Sequence, residues 1–188
     1  MPLTLDGNGD ISGLVAGALP ATVIGAGAVL QVVSTTKTDT TSFTSTDTNT
    51  YVDITGMSVT ITPTTTTSRI LVMYTAGVSQ TTSATIHIRL LRDSTSIGQG
   101  NASSNRLGDS LVWRIQANQY GYDIAPLSSS FLDTTRPAST SAITYKLQAT
   151  LGSSYNGTFY LNRSAGDADN ADYTGRTAST ITVMEIAA

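Results

Sequence analysis

Residues 85–98 read Thr85-Ile86-His87-Ile88-Arg89-Leu90-Leu91-Arg92-Asp93-Ser94-Thr95-Ser96-Ile97-Gly98. Ile86, Ile88 and Leu90 alternate with His87 and Arg89, the period of two that marks a strand with one buried face. Asp93-Ser94 follows as a tight turn, so the chain doubles back through the short run Ser96–Gly98 as a hairpin. The same alternation recurs on both sides of this stretch. Strands are predicted over Val29–Ser34, Tyr51–Ile54, Met57–Thr62, Arg69–Val78, Thr85–Arg92 and Ser96–Gly98. Further along they are predicted over Ser110–Gln116, Tyr122–Asp133, Ile143–Leu151, Thr158–Asn162 and Ser179–Ile186. No window of a dozen residues carries an apolar stripe of helical period, and the helix-forming Glu and Lys are nearly absent. These signals predict an all-β chain, an antiparallel, jelly-roll-like β-sandwich.

Composition supports that reading and removes several chemistries. Charged residues are 12% of the 188, about half the share usual in a soluble domain, while Thr supplies 33 residues and Ser 22. Apolar residues reach 39% and the net charge is only −3, so the chain can build a core and is not expected to be disordered. Ten basic residues against thirteen acidic ones give no field to gather phosphates, so nucleic acid is not an expected partner. With no Cys, disulfides, thiolate metal sites and cysteine nucleophiles are excluded. One His and one Glu, His87 and Glu185, leave little material for catalysis. The uncharged stretch Ile11–Val33 is long enough to cross a bilayer. Pro20 and four glycines weaken any helix there, however, and Asp6 and Asp10 precede it instead of basic residues. It is expected to be an extended arm that packs against other chains. The predicted organisation is therefore an N-terminal anchoring and oligomerisation arm over 1–33 and a β-sandwich knob over 34–188.

Turns carry their own signals. Thr62-Pro63 ends a strand because Pro lacks the ladder donor. Asn156-Gly157 is the strongest two-residue hairpin signal, predicted to join the Ile143–Leu151 strand to Thr158–Asn162. The Thr-rich stretch 35–50 fits either a solvated connector or a flat edge strand.

Candidate chemistry is sparse. Asp6-Gly7-Asn8-Gly9-Asp10 opens like a calcium loop, but Ile11 and Gly17 stand where Gly and a bidentate Glu are required, so turn chemistry is the expected role. Asp167, Asp169 and Asp172, with Asn170 among them, form the densest oxygen cluster; a solvated loop is expected and a hard cation is the alternative. Gly25-Ala26-Gly27 lacks the third glycine of a dinucleotide fingerprint, since Leu30 stands there. His87 faces away from Ile86 and Ile88 and is expected to be hydrogen-bonded or at a subunit contact rather than catalytic. Trp113, near Tyr120 and Tyr122, could offer a glycan platform, but its phase with Leu111 and Ile115 predicts core packing. Sequons at Asn101, Asn156 and Asn162 occur at the frequency chance predicts. No catalytic, cofactor or metal residue is assigned, and no enzyme activity is expected.

Three stretches resemble a known family. Thr55–Pro63 (TGMSVTITP) with Ser68–Met73 (SRILVM), Ile88–Gly98 (IRLLRDSTSIG) and Gly175–Ile186 (GRTASTITVMEI) resemble segments of small bacteriophage virion structural proteins. Met1–Leu14 (MPLTLDGNGDISGL) is similar to the N-terminal segment of tail-fibre-like proteins of aquatic phages. The strand order also resembles, loosely, the trimeric jelly rolls of C1q- and tumour-necrosis-factor-like domains. These resemblances imply a structural protein on the virion, in tail or capsid, assembled as a homotrimer and held to other virion proteins by residues 1–33. They imply a knob for host attachment, with a host surface glycan contacted through loops 99–109, 117–123 and 163–176. The alternative they imply is a capsid decoration protein that stabilises the shell; a depolymerase is a third, minor reading.

Overall fold

A computed structural model describes residues 4–5, 11–12, 25–45, 50–81, 84–114, 121–136, 138–152 and 156–188. Much of the predicted arm, including 13–24, and the Asp6–Asp10 turn lie outside the described residues. Within them, β1 (Thr4–Leu5) and β2 (Ile11–Ser12) pair with each other. The rest forms a sandwich of two antiparallel sheets, as the period-two pattern predicts, with no helix among the described residues.

The first sheet has six strands: β3 (Val29–Lys37), β4 (Thr41–Ser45), β6 (Arg69–Gln80), β10 (Ala125–Asp133), β12 (Gly157–Leu161) and β13 (Ser179–Ile186). The long β6 is its spine. It takes β10 along one edge, and β13 and then β12 along the other; β3 and β4 complete the sheet outside β13 and β12. The second sheet has five strands: β5 (Val52–Ile61), β7 (Thr85–Arg92), β8 (Thr95–Ile97), β9 (Leu111–Arg114) and β11 (Ile143–Leu151). Here β11 lies between β5 and β7, while β8 and β9 share the far edge of β7.

Alternation decides what lies between the sheets. Ile70, Val72, Ile181 and Val183 meet Ile86, Ile88, Leu90 and Leu147 with essentially no exposed surface. Each such side chain contributes about 1.5–3 kcal/mol on burial. Phe159 stacks on Phe43 at 4.9 Å, which fixes the β4 edge to the core. The Thr-rich stretch is thus strand over Thr41–Ser45, with Phe43 turned inward.

Four expectations are corrected. The predicted strands Tyr51–Ile54 and Met57–Thr62 are one strand, β5. Residues 54–57 span a register shift against β11, where Asp53 faces Gln148 and Ser58 faces Lys146. The extra residues let both Ile54 and Met57 point inward although three apart, which a regular strand forbids. Gly56 makes the bulge possible: its φ is +84°, and a Cβ there would come within 2.8 Å of the Lys37 side chain. Second, Asn156-Gly157 is not a hairpin. β11 belongs to one sheet and β12 to the other, so the connection crosses between sheets, and Gly157 pairs with Ser45. Third, Val29–Val33, assigned to the arm, already pairs with β13 as sheet. Fourth, Trp113 is 48% exposed; Leu111 alone of β9 turns toward the core.

The few buried charges lock the ends of the sandwich. Glu185, on the inner side of β13, accepts hydrogen bonds from Ser68 Oγ (2.6 Å), Gln31 Nε2 (2.6 Å), and Thr64 N (2.8 Å). Burial opposes its charge, but the donors from Ser68, Gln31 and Thr64 outweigh burial and hold its carboxyl below the usual range. Arg136 clamps the same Pro63–Ser68 turn from outside, donating to Ser68 O and Thr65 O at 2.7 Å. At the neighbouring corner Asp133 accepts from Arg92 and from Tyr145 Oη. Burial and that carboxylate push the Tyr145 phenol far above its ordinary pKa.

Candidate binding surfaces

The sequence marked three loops, and the structure brings two of them together. Gly121 O accepts from Gly166 N at 2.9 Å, and the Tyr122 ring lies 4.6 Å from the Tyr173 ring, so segments 121–123 and 163–176 form one tip. Asn170 Nδ2 donates to Tyr173 Oη (2.8 Å), and Tyr173 remains 48% exposed. Beside it lies an open depression of about 420 Å³ lined by Asp167, Asp169, Asn170, Thr174 and Arg176. An aromatic face next to planar amide, carboxylate and guanidinium groups suits a polyhydroxylated ligand, which offers apolar C–H faces and many hydroxyls at once.

The Asp cluster does not converge as a cation site. Asp167 is held between Arg163 (2.9 Å) and Arg176. The Arg176 hydrogen bond is the main reason its carboxyl stays below the ordinary range. Asp169 and Asp172 are exposed. Among the described residues no three His, Asp or Glu side chains are placed to hold a metal. Sequence spacing hid this because the neutralising arginines close the loop from its two ends, where Arg163 and Arg176 form an isolated bridge.

Loop 99–109 has a different destination. It closes on itself through Gly100 N to Asp109 O and delivers the Asp109 side chain to the outer face of the five-stranded sheet. There Asp109 Oδ2 meets His87 Nδ1 at 2.8 Å, and Asp109 Oδ1 accepts from Tyr51 Oη. Burial, then the bond to Asp109, raises the Tyr51 phenol well above its ordinary pKa. Arg89 lies 3.9 Å from the Tyr51 ring centre and donates to Gln148 Oε1 (2.8 Å); Gln148 and Lys146 both bond Asp53. His87 thus faces outward into a hydrogen-bonded network, as its phase predicts. A nucleophilic triad requires a hydroxyl on the imidazole's other nitrogen; the side-chain hydrogen bond of His87 runs from Nδ1 to the Asp109 carboxylate.

Of the three sequons, Asn101 and Asn156 are exposed but Asn162 is fully buried in a left-handed conformation (φ +63°). Its amide donates to Lys37 O and Asp39 O and accepts from Ser179 Oγ at 2.6 Å, so it ties β12 to β3 and β13 and cannot receive a glycan.

The outer face of the six-stranded sheet is the surface that sequence reading missed. Register aligns Val32, Met184, Leu71 and Leu132 in one row across β3, β13, β6 and β10. Ser34, Thr182, Met73 and Ser130 form the next row, and Thr36, Thr180, Thr75 and Ser128 the third. None of these twelve carries a charge. A shallow groove of about 360 Å³ runs over the second and third rows.

Comparison with known proteins adds little beyond this geometry. No protein-family model matches the chain, and no curated protein matches it. Among solved structures, infectious bursal disease virus of the Gx strain is similar at 13% identity and a TM-score of 0.41, over 84% of this chain. The Gt strain structure and the VP2 subviral particle of the same virus are similar at 15% identity, with TM-scores of 0.38 and 0.36. The chain spans 37–38% of the length of those chains. The fold assignment rests on the two sheets themselves.

Proposed function

We propose that this chain is a non-enzymatic structural component of a bacteriophage virion, a trimeric tail-fibre or fibre-tip protein that displays its sandwich for attachment to the host surface. The observation that carries this reading is where the family-like stretches fall. Thr55–Pro63 and Ser68–Met73 are β5, the Pro63 turn and the start of β6; Ile88–Gly98 is the β7–β8 hairpin; Gly175–Ile186 ends in β13. The resemblance therefore covers strands of both sheets rather than scattered turns.

In this reading the residues that precede β3 fasten the protein to other virion proteins, and the Tyr122–Tyr173 tip meets a glycan on the host. The ordered framework positions the tip; the tip supplies an aromatic face and adjacent polar groups, and no bond is made or broken. Labelling the protein on intact particles tests the location. A few copies at the tail tip support it, whereas hundreds on the head would replace it with the capsid decoration role. Tyr173→Ala tests the tip: binding to host cells should fall at least tenfold with the melting temperature unchanged. Undiminished binding by this variant would remove the tip from attachment.

A further inference from the structure

We propose that the Tyr122–Tyr173 tip takes an uncharged glycan and turns acidic ones away. The proposal rests on the attachment reading above and names the class of sugar that the tip accepts.

The cations of the tip are already engaged. Arg163 uses all three of its nitrogens within the loop: Nη1 meets Asp167 at 2.9 Å, Nε donates to Ser164 O at 3.0 Å and Nη2 to Ala165 O at 3.2 Å. Its guanidinium also lies 4.3 Å from the Tyr160 ring centre, which covers one of its faces. Arg176 donates to the other oxygen of Asp167. A guanidinium captures a carboxylate, sulfate or phosphate best with a free fork of two N–H groups. Arg163 has no such fork left, and Arg176 already holds a carboxylate.

The remaining charges are negative. Segments 117–123 and 163–176 contain Asp123, Asp167, Asp169 and Asp172 against Arg163 and Arg176, a net charge of −2. Asp169 and Asp172 are exposed and form no ion pair among the described residues. A further anion brought beside them is repelled, and water and salt weaken that repulsion without reversing it.

What the tip offers instead matches hydroxyls. An ionised carboxylate has only acceptors, and a neutral sugar supplies O–H donors in adjacent pairs that one carboxylate can take together. Asn170 is fixed at both ends: Oδ1 accepts from Asp172 N at 2.8 Å, and Nδ2 donates to Tyr173 Oη at 2.8 Å. Because Tyr173 Oη accepts from Asn170, its own proton is directed elsewhere, beside a ring that is 48% exposed. The tip thus presents an aromatic face, a phenol donor and carboxylate acceptors around the open depression. An acidic sugar brings acceptors to acceptors; an uncharged one brings donors, with a C–H face for the ring. The exposed ring and the depression place the ligand, and the carboxylates set its charge.

A glycan array probed with the full chain tests the selectivity. It carries neutral hexose and N-acetylhexosamine oligomers beside oligomers bearing uronic acid, sialic acid, sulfate or phosphate. The wild type should bind neutral glycans, and Tyr173→Ala should weaken that binding at least tenfold. Binding should change less than about twofold between low and high salt, since no ion pair forms. Asp169→Asn combined with Asp172→Asn should weaken neutral binding about fivefold, as charge-assisted acceptors become neutral ones. The melting temperature of the double variant should be unchanged. Tyr173-dependent binding of acidic glycans in preference to neutral ones overturns the inference and leaves attachment by the tip standing. Undiminished neutral binding by the double variant overturns it as well. No glycan binding, or binding that ignores Tyr173→Ala, removes the tip from attachment and takes the inference with it.

Discussion

The two outer faces of the sandwich are made by the same strand chemistry and have been given opposite surfaces. On the five-stranded sheet, Lys146 bonds Asp53 at 2.8 Å, Arg89 lies over Tyr51 and bonds Gln148, and Asp109 joins His87 to Tyr51. On the six-stranded sheet, Ser34 meets Thr182 at 2.8 Å and Thr36 meets Thr180 at 3.3 Å, with an apolar row alongside. The first face has groups that water hydrates well and that satisfy one another. The second has short hydroxyls that lose little side-chain entropy when covered, and aliphatics that gain by being covered. The contrast teaches that the abundance of Thr and Ser in this chain serves two ends. In turns and exposed edges it is solvated polar surface; on one sheet it builds charge-free rows of paired hydroxyls across neighbouring strands.

The largest effect expected is on the lock beneath the six-stranded sheet. Glu185→Ala should lower stability by about 2–3 kcal/mol, because Ser68 and the Thr64 amide lose their acceptor. Its pH dependence has a definite sign. The folded carboxyl titrates below its unfolded value, so the charge stabilises the fold above the ordinary carboxylate pKa near 4.3. That stabilisation is lost as pH falls through the depressed folded value. Glu185→Gln should therefore be less stable than wild type at pH 7 and show a flatter acid limb in urea melts from pH 6 to 3. A wild-type acid limb in the variant would deny Glu185 this role.

The smallest effect belongs to the charged face. The Lys146 hydrogen bond is the main cause of the lowered Asp53 carboxyl, but the pair is solvent-exposed. Asp53→Asn should change stability by no more than about 0.5 kcal/mol. A loss of several kcal/mol would show that this face is organised more tightly than its exposure implies.

How much of this was legible beforehand follows from what alternation can encode. Period two gave β7, β11 and β13 to the residue and turned His87 outward, because each strand carries its own inside–outside record. It could not report that Ile54 and Met57 share one strand, since a bulge at Gly56 resets the phase in the middle. It misplaced Trp113, because phase with Leu111 says which side a residue takes and not whether anything covers that side. Asn156-Gly157 has hairpin chemistry, but whether the two strands it links share a sheet is decided by packing far from the turn. The loops at 117–123 and 163–176 were legible as polar and aromatic; their meeting at Tyr122 and Tyr173 was not. The charge-free face was the least legible of all. Val32, Leu71, Leu132 and Met184 come from four strands spread over the whole chain, and only register sets them side by side.

Oxidation reads the inside and outside of the sandwich in one experiment. Met57 is fully buried by the bulge at Gly56, whereas Trp113 is 48% exposed on β9. Brief hydroxyl-radical footprinting of the full chain, read by mass spectrometry, should show Met57 protected and Trp113 modified. Rapid oxidation of Met57, equal to that of Trp113, would contradict a sandwich in which the bulge turns both Ile54 and Met57 inward.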